Sequence, residues 1–228
     1  MAASRPMKTL QLLRRSAAFV LLSLLMPRLM AHAVWIEPVA EGVMGLRFAE
    51  PDGKVEKSPG RLDAFTLPVA HTLDKAVPAA VEVTRKTDHF LLAGTTAAQV
   101  ICAQTTHAVM GKEGEPGRLP VWYARWQASL EVAAAPSLTL DIVPTGKPGE
   151  ARVYFRGQPL GGVKAMLYTA SADIELTADA DGFLRFEAAK AGQYLLTTRH
   201  VETLAGFHAG KASAVTSHGA SLVWKLEK

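Results

Sequence analysis

The sequence predicts an all-β protein built from two antiparallel β-sandwich domains. Beyond residue 31, no stretch repeats apolar residues at the spacing of an amphipathic helix. The chain instead contains short runs rich in β-branched and aromatic residues, separated by Gly, Pro and Asp, which is typical of antiparallel sandwiches. The single cysteine, Cys102, excludes an intramolecular disulfide, so each domain must depend on an ordinary hydrophobic core. Because Cys102 lies in an apolar run, we expect it to be buried.

The predicted strands divide into two sets at the Pro- and Gly-rich segment 144–149, which is typical of a short linker. This division predicts an N-terminal domain over residues 32–143 and a C-terminal domain over 144–228. In the strand 121–126, alternation places Trp122, Ala124 and Trp126 on one face and Tyr123 on the other. The predicted strands are 44–49, 65–70, 80–84, 90–93, 99–103, 121–126 and 138–143 in the first set, and 151–155, 163–169, 174–176, 183–186, 194–198 and 221–226 in the second.

Residues 1–31 are predicted to be a cleaved signal peptide. A basic segment precedes the apolar run 17–26, which is too short to span a bilayer and has the length of a signal-peptide core. Cleavage after Ala33 fits the A-x-A pattern, whereas cleavage after Ala31 leaves His32 first. A free α-amine beside the imidazole of His32 forms a chelating pair suited to copper, nickel or cobalt. We therefore expect a soluble periplasmic protein, not embedded in the membrane once mature.

The net charge of +4 comes from the predicted signal peptide rather than from the mature chain. Five of the 25 Lys and Arg residues lie in residues 1–31, together with none of the 21 Asp and Glu residues. The remaining chain therefore carries a net charge of about −1 by this count. It also lacks the basic clusters interleaved with aromatic residues that bind single-stranded nucleic acid. We expect no nucleic-acid partner.

The candidate chemistry of this chain lies in its histidines. None of the seven forms an H-x-x-x-H or H-E-x-x-H pair, so a metal site must be assembled from distant segments. His200 follows one predicted strand and His218 precedes another, and antiparallel pairing would bring them close together. With an N-terminal His32 they would supply the imidazoles of a metal site. The second-tier candidate ligands are His89, His107 and Glu202. No nucleophile elbow, P-loop or dinucleotide fingerprint is present, so we expect no enzyme.

The turn segments of the C-terminal half, at 157–163, 179–183 and 191–196, resemble those of transthyretin-like sandwich modules. The chain as a whole resembles a group of exported bacterial proteins classed with the periplasmic components of cobalt and nickel uptake systems. The segments that carry this resemblance are 31–38, 56–68, 88–92, 120–126 and 140–160, with the His200 and His218 segments.

The resemblance implies a periplasmic β-sandwich protein that handles a transition metal near an importer or an outer-membrane receptor. It matches His32 to the family's histidine after the signal, and His200 and His218 to its C-terminal histidines. The leading hypothesis is therefore a metal-binding accessory of nickel, cobalt or copper uptake. The alternative is a non-catalytic β-sandwich interaction module that docks an envelope receptor or transporter.

Overall fold

The computed structural model describes residues 32–51, 53–74, 77–187 and 190–226, and it confirms the predicted all-β fold class with β-sandwich packing. A single turn of 3₁₀ helix, Arg61–Ala64, follows the second strand. The strands are β1 (Ala33–Ala40), β2 (Val43–Ala49), β3 (Val69–Thr72), β4 (Ala79–Val81), β5 (Val83–Arg85), β6 (Phe90–Leu92), β7 (Ile101–Thr106), β8 (Gly117–Trp126), β9 (Leu140–Pro144), β10 (Glu150–Phe155), β11 (Gln158–Pro159), β12 (Lys164–Tyr168), β13 (Asp173–Thr177), β14 (Phe183–Arg185), β15 (Gly192–Glu202), β16 (Gly206–His208) and β17 (Lys211–Leu226).

A nine-stranded central sheet organises the molecule. Its strand order is β13-β12-β15-β17-β8-β7-β3-β4, and β16 also pairs with β17. The longest strand, β17, pairs antiparallel with β15 on one side and parallel with β8 on the other. The central sheet therefore joins strands from both halves of the sequence.

Two smaller sheets cover the two faces of the central sheet. The first outer sheet has the order β1-β2-β6-β5, and the second contains β11-β10-β14 with β9 paired to β10. Successive side chains of a strand point to opposite faces. Accordingly, Val223 packs in the core beneath the first outer sheet, whereas Leu222 and Trp224 pack beneath the second. The fold is a three-layer sandwich with two hydrophobic cores.

The predicted boundary between two separate domains at residues 143 and 144 does not match the structure. Segment 144–149 leads from β9 into β10, and these two strands pair antiparallel within the second outer sheet. The predicted linker is therefore a hairpin turn, because Pro and Gly mark turns as readily as linkers. The described residues from His32 onward form one compact unit, in which the two predicted sandwiches share the central sheet.

The predicted signal peptide, residues 1–31, lies outside the described residues, as does any cleavage after Ala31. The first described residue, His32, directly precedes β1, whose first four residues are buried. Within the described part of the chain, no helix is long and apolar enough to cross a membrane.

Candidate metal centre

The structure brings together the two C-terminal histidines that the sequence predicts as ligands. His200 on β15 lies directly opposite His218 on β17 in the antiparallel register. The centroids of their rings are 6.4 Å apart. His218 is 5% exposed and His200 is half-buried. Both belong to the face of the central sheet that meets the second outer sheet, since His218 is in phase with Leu222 on β17.

The ring of His218 is held between a phenol and a carboxylate. The Tyr123 hydroxyl lies 3.1 Å from Nδ1, and the two rings stack with centroids 5.9 Å apart. On the other side, Oε2 of Glu202 lies 3.5 Å from Nε2. Among the described residues, Nε2 of His218 has no hydrogen-bond partner. Tyr123 therefore fixes the ring so that its unpartnered nitrogen faces Glu202.

Phe155, at the end of β10, and Arg156, in the turn that follows, complete this arrangement. The Phe155 ring contacts both imidazoles, with centroid distances of 4.5 Å to His200 and 5.1 Å to His218. Arg156 Nη2 donates a hydrogen bond of 2.8 Å to Oε2 of Glu202. The Arg156 guanidinium also lies over the Phe155 ring, 4.9 Å from its centroid. We call the following residues the His218 cluster: Tyr123, Phe155, Arg156, His200, Glu202 and His218.

The protonation of His218 links the cluster to the stability of the fold. Burial lowers the pKa of His218 below its ordinary value of 6.5, although the nearby Glu202 carboxylate raises it in part. Below pH 6.5, the unfolded chain therefore binds more protons at this position than the folded chain does. The contribution of His218 to stability is full above that pH and declines as the pH falls through 6.5 towards the lowered pKa of the folded state.

We expect the free energy of unfolding to fall between pH 7.5 and pH 5, and to fall less in a His218→Gln variant. Urea denaturation of both proteins at the two pH values measures this difference directly. An equal fall in the two proteins would show that His218 titrates in the same way whether the chain is folded or unfolded.

The first predicted ligand, His32, is not part of this cluster, which corrects the three-histidine site expected from the sequence. Its ring packs 4.9 Å from that of Phe48, which belongs to the core between the first outer sheet and the central sheet. His200 and His218 lie on the opposite face of the central sheet. The sequence places His32 just after the predicted signal peptide and the other two histidines at strand ends, and neither position specifies which face of a sheet a side chain occupies.

Around His32, carboxylates and an arginine form a separate group. His32 Nε2 lies 2.6 Å from Oε1 of Glu56 and 3.8 Å from Oε1 of Glu50. Arg61 donates a hydrogen bond of 3.1 Å to the same Glu56 oxygen. Burial raises the pKa of Glu56, but the hydrogen bond with His32 and the charge of Arg61 together outweigh this effect. The pKa is therefore lowered from its ordinary value, and the carboxylate stays ionised. These contacts suit an ion-paired surface network.

Two of the second-tier candidates, His89 and His107, also lie away from the His218 cluster. His89 Nδ1 lies 2.7 Å from the Asp88 carboxylate, beside β6 of the first outer sheet. His107 donates from Nδ1 to the Ala108 carbonyl oxygen at 2.8 Å, and its ring packs against Phe65. Neither contacts the His218 cluster among the contacts of the described residues. Glu202 is the only second-tier candidate within it.

The donor atoms of the His218 cluster fit a first-row transition metal in kind. Two imidazoles and one carboxylate suit nickel, cobalt, copper or zinc, and Tyr123 would orient one imidazole from behind, as hydrogen-bonded groups around metal sites do. In the structure, however, these side chains are not arranged as a complete metal site. The described residues contain no group of three or more His, Cys, Asp or Glu side chains already placed to hold a metal ion. Instead, the Glu202 carboxylate forms an ion pair with the Arg156 guanidinium.

Tyr123, Phe155 and Arg156 are the cluster residues that the sequence did not identify. Alternation along β8 does separate Tyr123 from its tryptophan neighbours, and the structure confirms that separation. The parallel pairing of β8 with β17, which brings Tyr123 to His218, has no local sequence signal. Arg156 stands in a recognisable turn, but nothing in the sequence indicates that the turn meets Glu202.

Comparisons with known proteins do not identify a family. No protein-family model matches the chain, and no curated protein matches it. Among solved structures, the chain is similar to the FN1–FN3 domains of chicken CNTN1, with 9% sequence identity and a TM-score of 0.21. That alignment covers 85% of this chain and 66% of the other. A likeness at this level carries no argument, so the fold class depends on the observed strands alone.

Proposed function

We propose that this protein binds a divalent transition metal through His200, Glu202 and His218, as a periplasmic accessory of nickel or cobalt uptake, with copper as a further candidate. The observation that carries the proposal is the buried Nε2 of His218, which has no hydrogen-bond partner among the described residues and faces a carboxylate. A buried ring nitrogen whose polar neighbour is as far away as 3.5 Å lacks a good hydrogen bond, which is costly to the fold. A metal ion would satisfy it.

The position of His200 supports the same proposal. It lies on the neighbouring strand directly opposite His218, and Glu202 follows two residues later on the same face of β15. Two imidazoles and a carboxylate thus lie on one face of two adjacent, hydrogen-bonded strands, which would give ligands a rigid base. Metal binding would require His200 to turn towards Glu202, because each metal–nitrogen bond is only about 2.1 Å long. His200 is only half-buried, and this turn would move its ring from its present contact with Phe155.

A direct test measures metal affinity in two double variants. Isothermal titration of tag-free protein with Ni²⁺, Co²⁺, Cu²⁺ and Zn²⁺ should show binding to the wild type. Binding should weaken by at least about a hundredfold in the His200→Ala/His218→Ala variant, because two of three ligands are lost. The matched control is His32→Ala/His107→Ala, which removes two histidines on the opposite face of the central sheet and should leave binding at these residues unchanged.

Each alternative outcome has a distinct meaning. If only the His32→Ala/His107→Ala variant loses the metal, the site belongs to the other face and our ligand assignment is wrong. If the wild type binds none of the four metals, metal binding itself is wrong. The interaction module then becomes the better hypothesis, and the surface to study is the hairpin around β16, where Val201, Leu204 and Phe207 are exposed.

A further inference from the structure

The turn that carries Arg156 has an unusual residue choice. Phe155 on β10 pairs with Gln158 on β11, so Arg156 and Gly157 form a two-residue hairpin loop. Both have positive φ, 51° for Arg156 and 75° for Gly157. Hairpin loops of this kind favour Asn-Gly or Asp-Gly, because Asn, Asp and Gly tolerate positive φ more readily than other residues do. An arginine at this position therefore costs stability, which interactions of its side chain have to offset.

The side chain of Arg156 is directed into the His218 cluster. Its Nη2 donates to Oε2 of Glu202, the same oxygen that lies 3.5 Å from Nε2 of His218. The Arg156 side chain is 56% exposed, whereas that of Glu202 is 21% exposed, so the guanidinium reaches the carboxylate from the solvent side. Its backbone N–H is anchored to the Thr139 carbonyl oxygen at 2.6 Å, which fixes where the side chain starts. A flexible cation is thus tethered over the proposed ligand carboxylate.

From this geometry we propose that Arg156 is a built-in competitor of the metal: its guanidinium neutralises Glu202 in the metal-free protein and must leave before a metal ion binds. The inference rests on the proposed function, since it concerns the regulation of the same site. No covalent bond forms or breaks; one cation replaces another at the carboxylate. Arg156 would lower the affinity of every cation for the site by the same factor, so that only strongly coordinating metals would still bind at low concentration.

The decisive variant is Arg156→Asn, because it removes the cation while giving the loop its preferred Asn-Gly sequence. The fold should be retained, and the melting temperature of the metal-free protein should stay within a few degrees of the wild type. The affinity for Ni²⁺ in isothermal titration should rise about tenfold, since the metal no longer has to displace a cation from the carboxylate. The control is Lys147→Asn, which removes an exposed cation at the opposite end of β10.

A second readout follows Arg156 itself. Nuclear magnetic resonance of the Arg156 side chain should show its Nε–Hε signal move towards that of a free arginine when diamagnetic Zn²⁺ is added. If the Ni²⁺ affinity of Arg156→Asn is equal to or below that of the wild type, Arg156 is not a competitor of the metal. The same conclusion follows if the Nε–Hε signal of Arg156 does not change when Zn²⁺ is added. The proposed function has a separate test, because it fails only if the wild type binds no metal or if the His200→Ala/His218→Ala variant binds like the wild type.

Discussion

An Asp141→Ala substitution should lower the free energy of unfolding by about 3–5 kcal/mol, because it leaves the buried charge of Arg125 without its partner. Both side chains are fully buried, and Arg125 donates to both carboxylate oxygens, with N–O distances of 3.0 and 2.6 Å. Asp141 also accepts hydrogen bonds from the backbone N–H groups of Ser137 and Leu138. This pair joins β8 of the central sheet to β9 of the second outer sheet. Urea denaturation at pH 7.5 measures the loss.

Two further variants separate the unpaired charge from the lost backbone contacts. Adding Arg125→Met to Asp141→Ala should recover part of the lost stability, since no buried charge then remains. The matched control is Glu175→Ala, which breaks the exposed Lys164–Glu175 pair, whose N–O distance is also short at 2.7 Å. That loss should stay below about 1 kcal/mol, because solvent screens an exposed pair. If the losses measured for Asp141→Ala and for Arg125→Met alone add up to the loss of the double variant, the unpaired charge has no separate cost and the prediction is wrong.

The sequence specifies the strands of this protein better than it specifies their assembly. The alternation that places Trp126 and Tyr123 on opposite faces of β8 is confirmed, because it depends only on the period of a strand. The predicted burial of Cys102 is also confirmed. In contrast, β17 extends back to Lys211, ten residues before its predicted start. Its small and polar residues from Thr216 to Ser221 are buried because layers cover both faces of the central sheet, which no local pattern reveals.

The candidate site shows the same limit. The closeness of His200 and His218 could be predicted, since it follows from antiparallel pairing of two neighbouring strands. The separation of His32 could not, because it depends on which outer sheet covers which face. Nor could the presence of Tyr123, which reaches His218 only through a parallel pairing between strands almost a hundred residues apart. The local sequence therefore indicated candidate residues, whereas long-range topology decides which of them meet.

The second large effect is expected at Trp224, where alanine should lower the free energy of unfolding by about 3–5 kcal/mol. This side chain is fully buried beneath the second outer sheet. Its ring stacks on Tyr194 with centroids 5.1 Å apart and an interplanar angle of 10°, and it lies 5.5 Å from the ring of Phe186. Alanine would remove these contacts and leave a cavity between two sheets held by their own hydrogen bonds, which limits collapse. Urea denaturation again provides the measurement.

A Trp224→Phe substitution distinguishes ring packing from the role of the indole nitrogen. Within the described residues, the buried Nε1–H of Trp224 has no acceptor, so phenylalanine removes an unsatisfied donor while keeping a ring against Tyr194. Its cost should be no more than about 2 kcal/mol. As a control, Phe207→Ala removes an aromatic ring that is 75% exposed and should change stability by less than about 0.5 kcal/mol. If phenylalanine at position 224 costs as much as alanine, the indole N–H must be satisfied in the folded protein, and ring packing is not what Trp224 contributes.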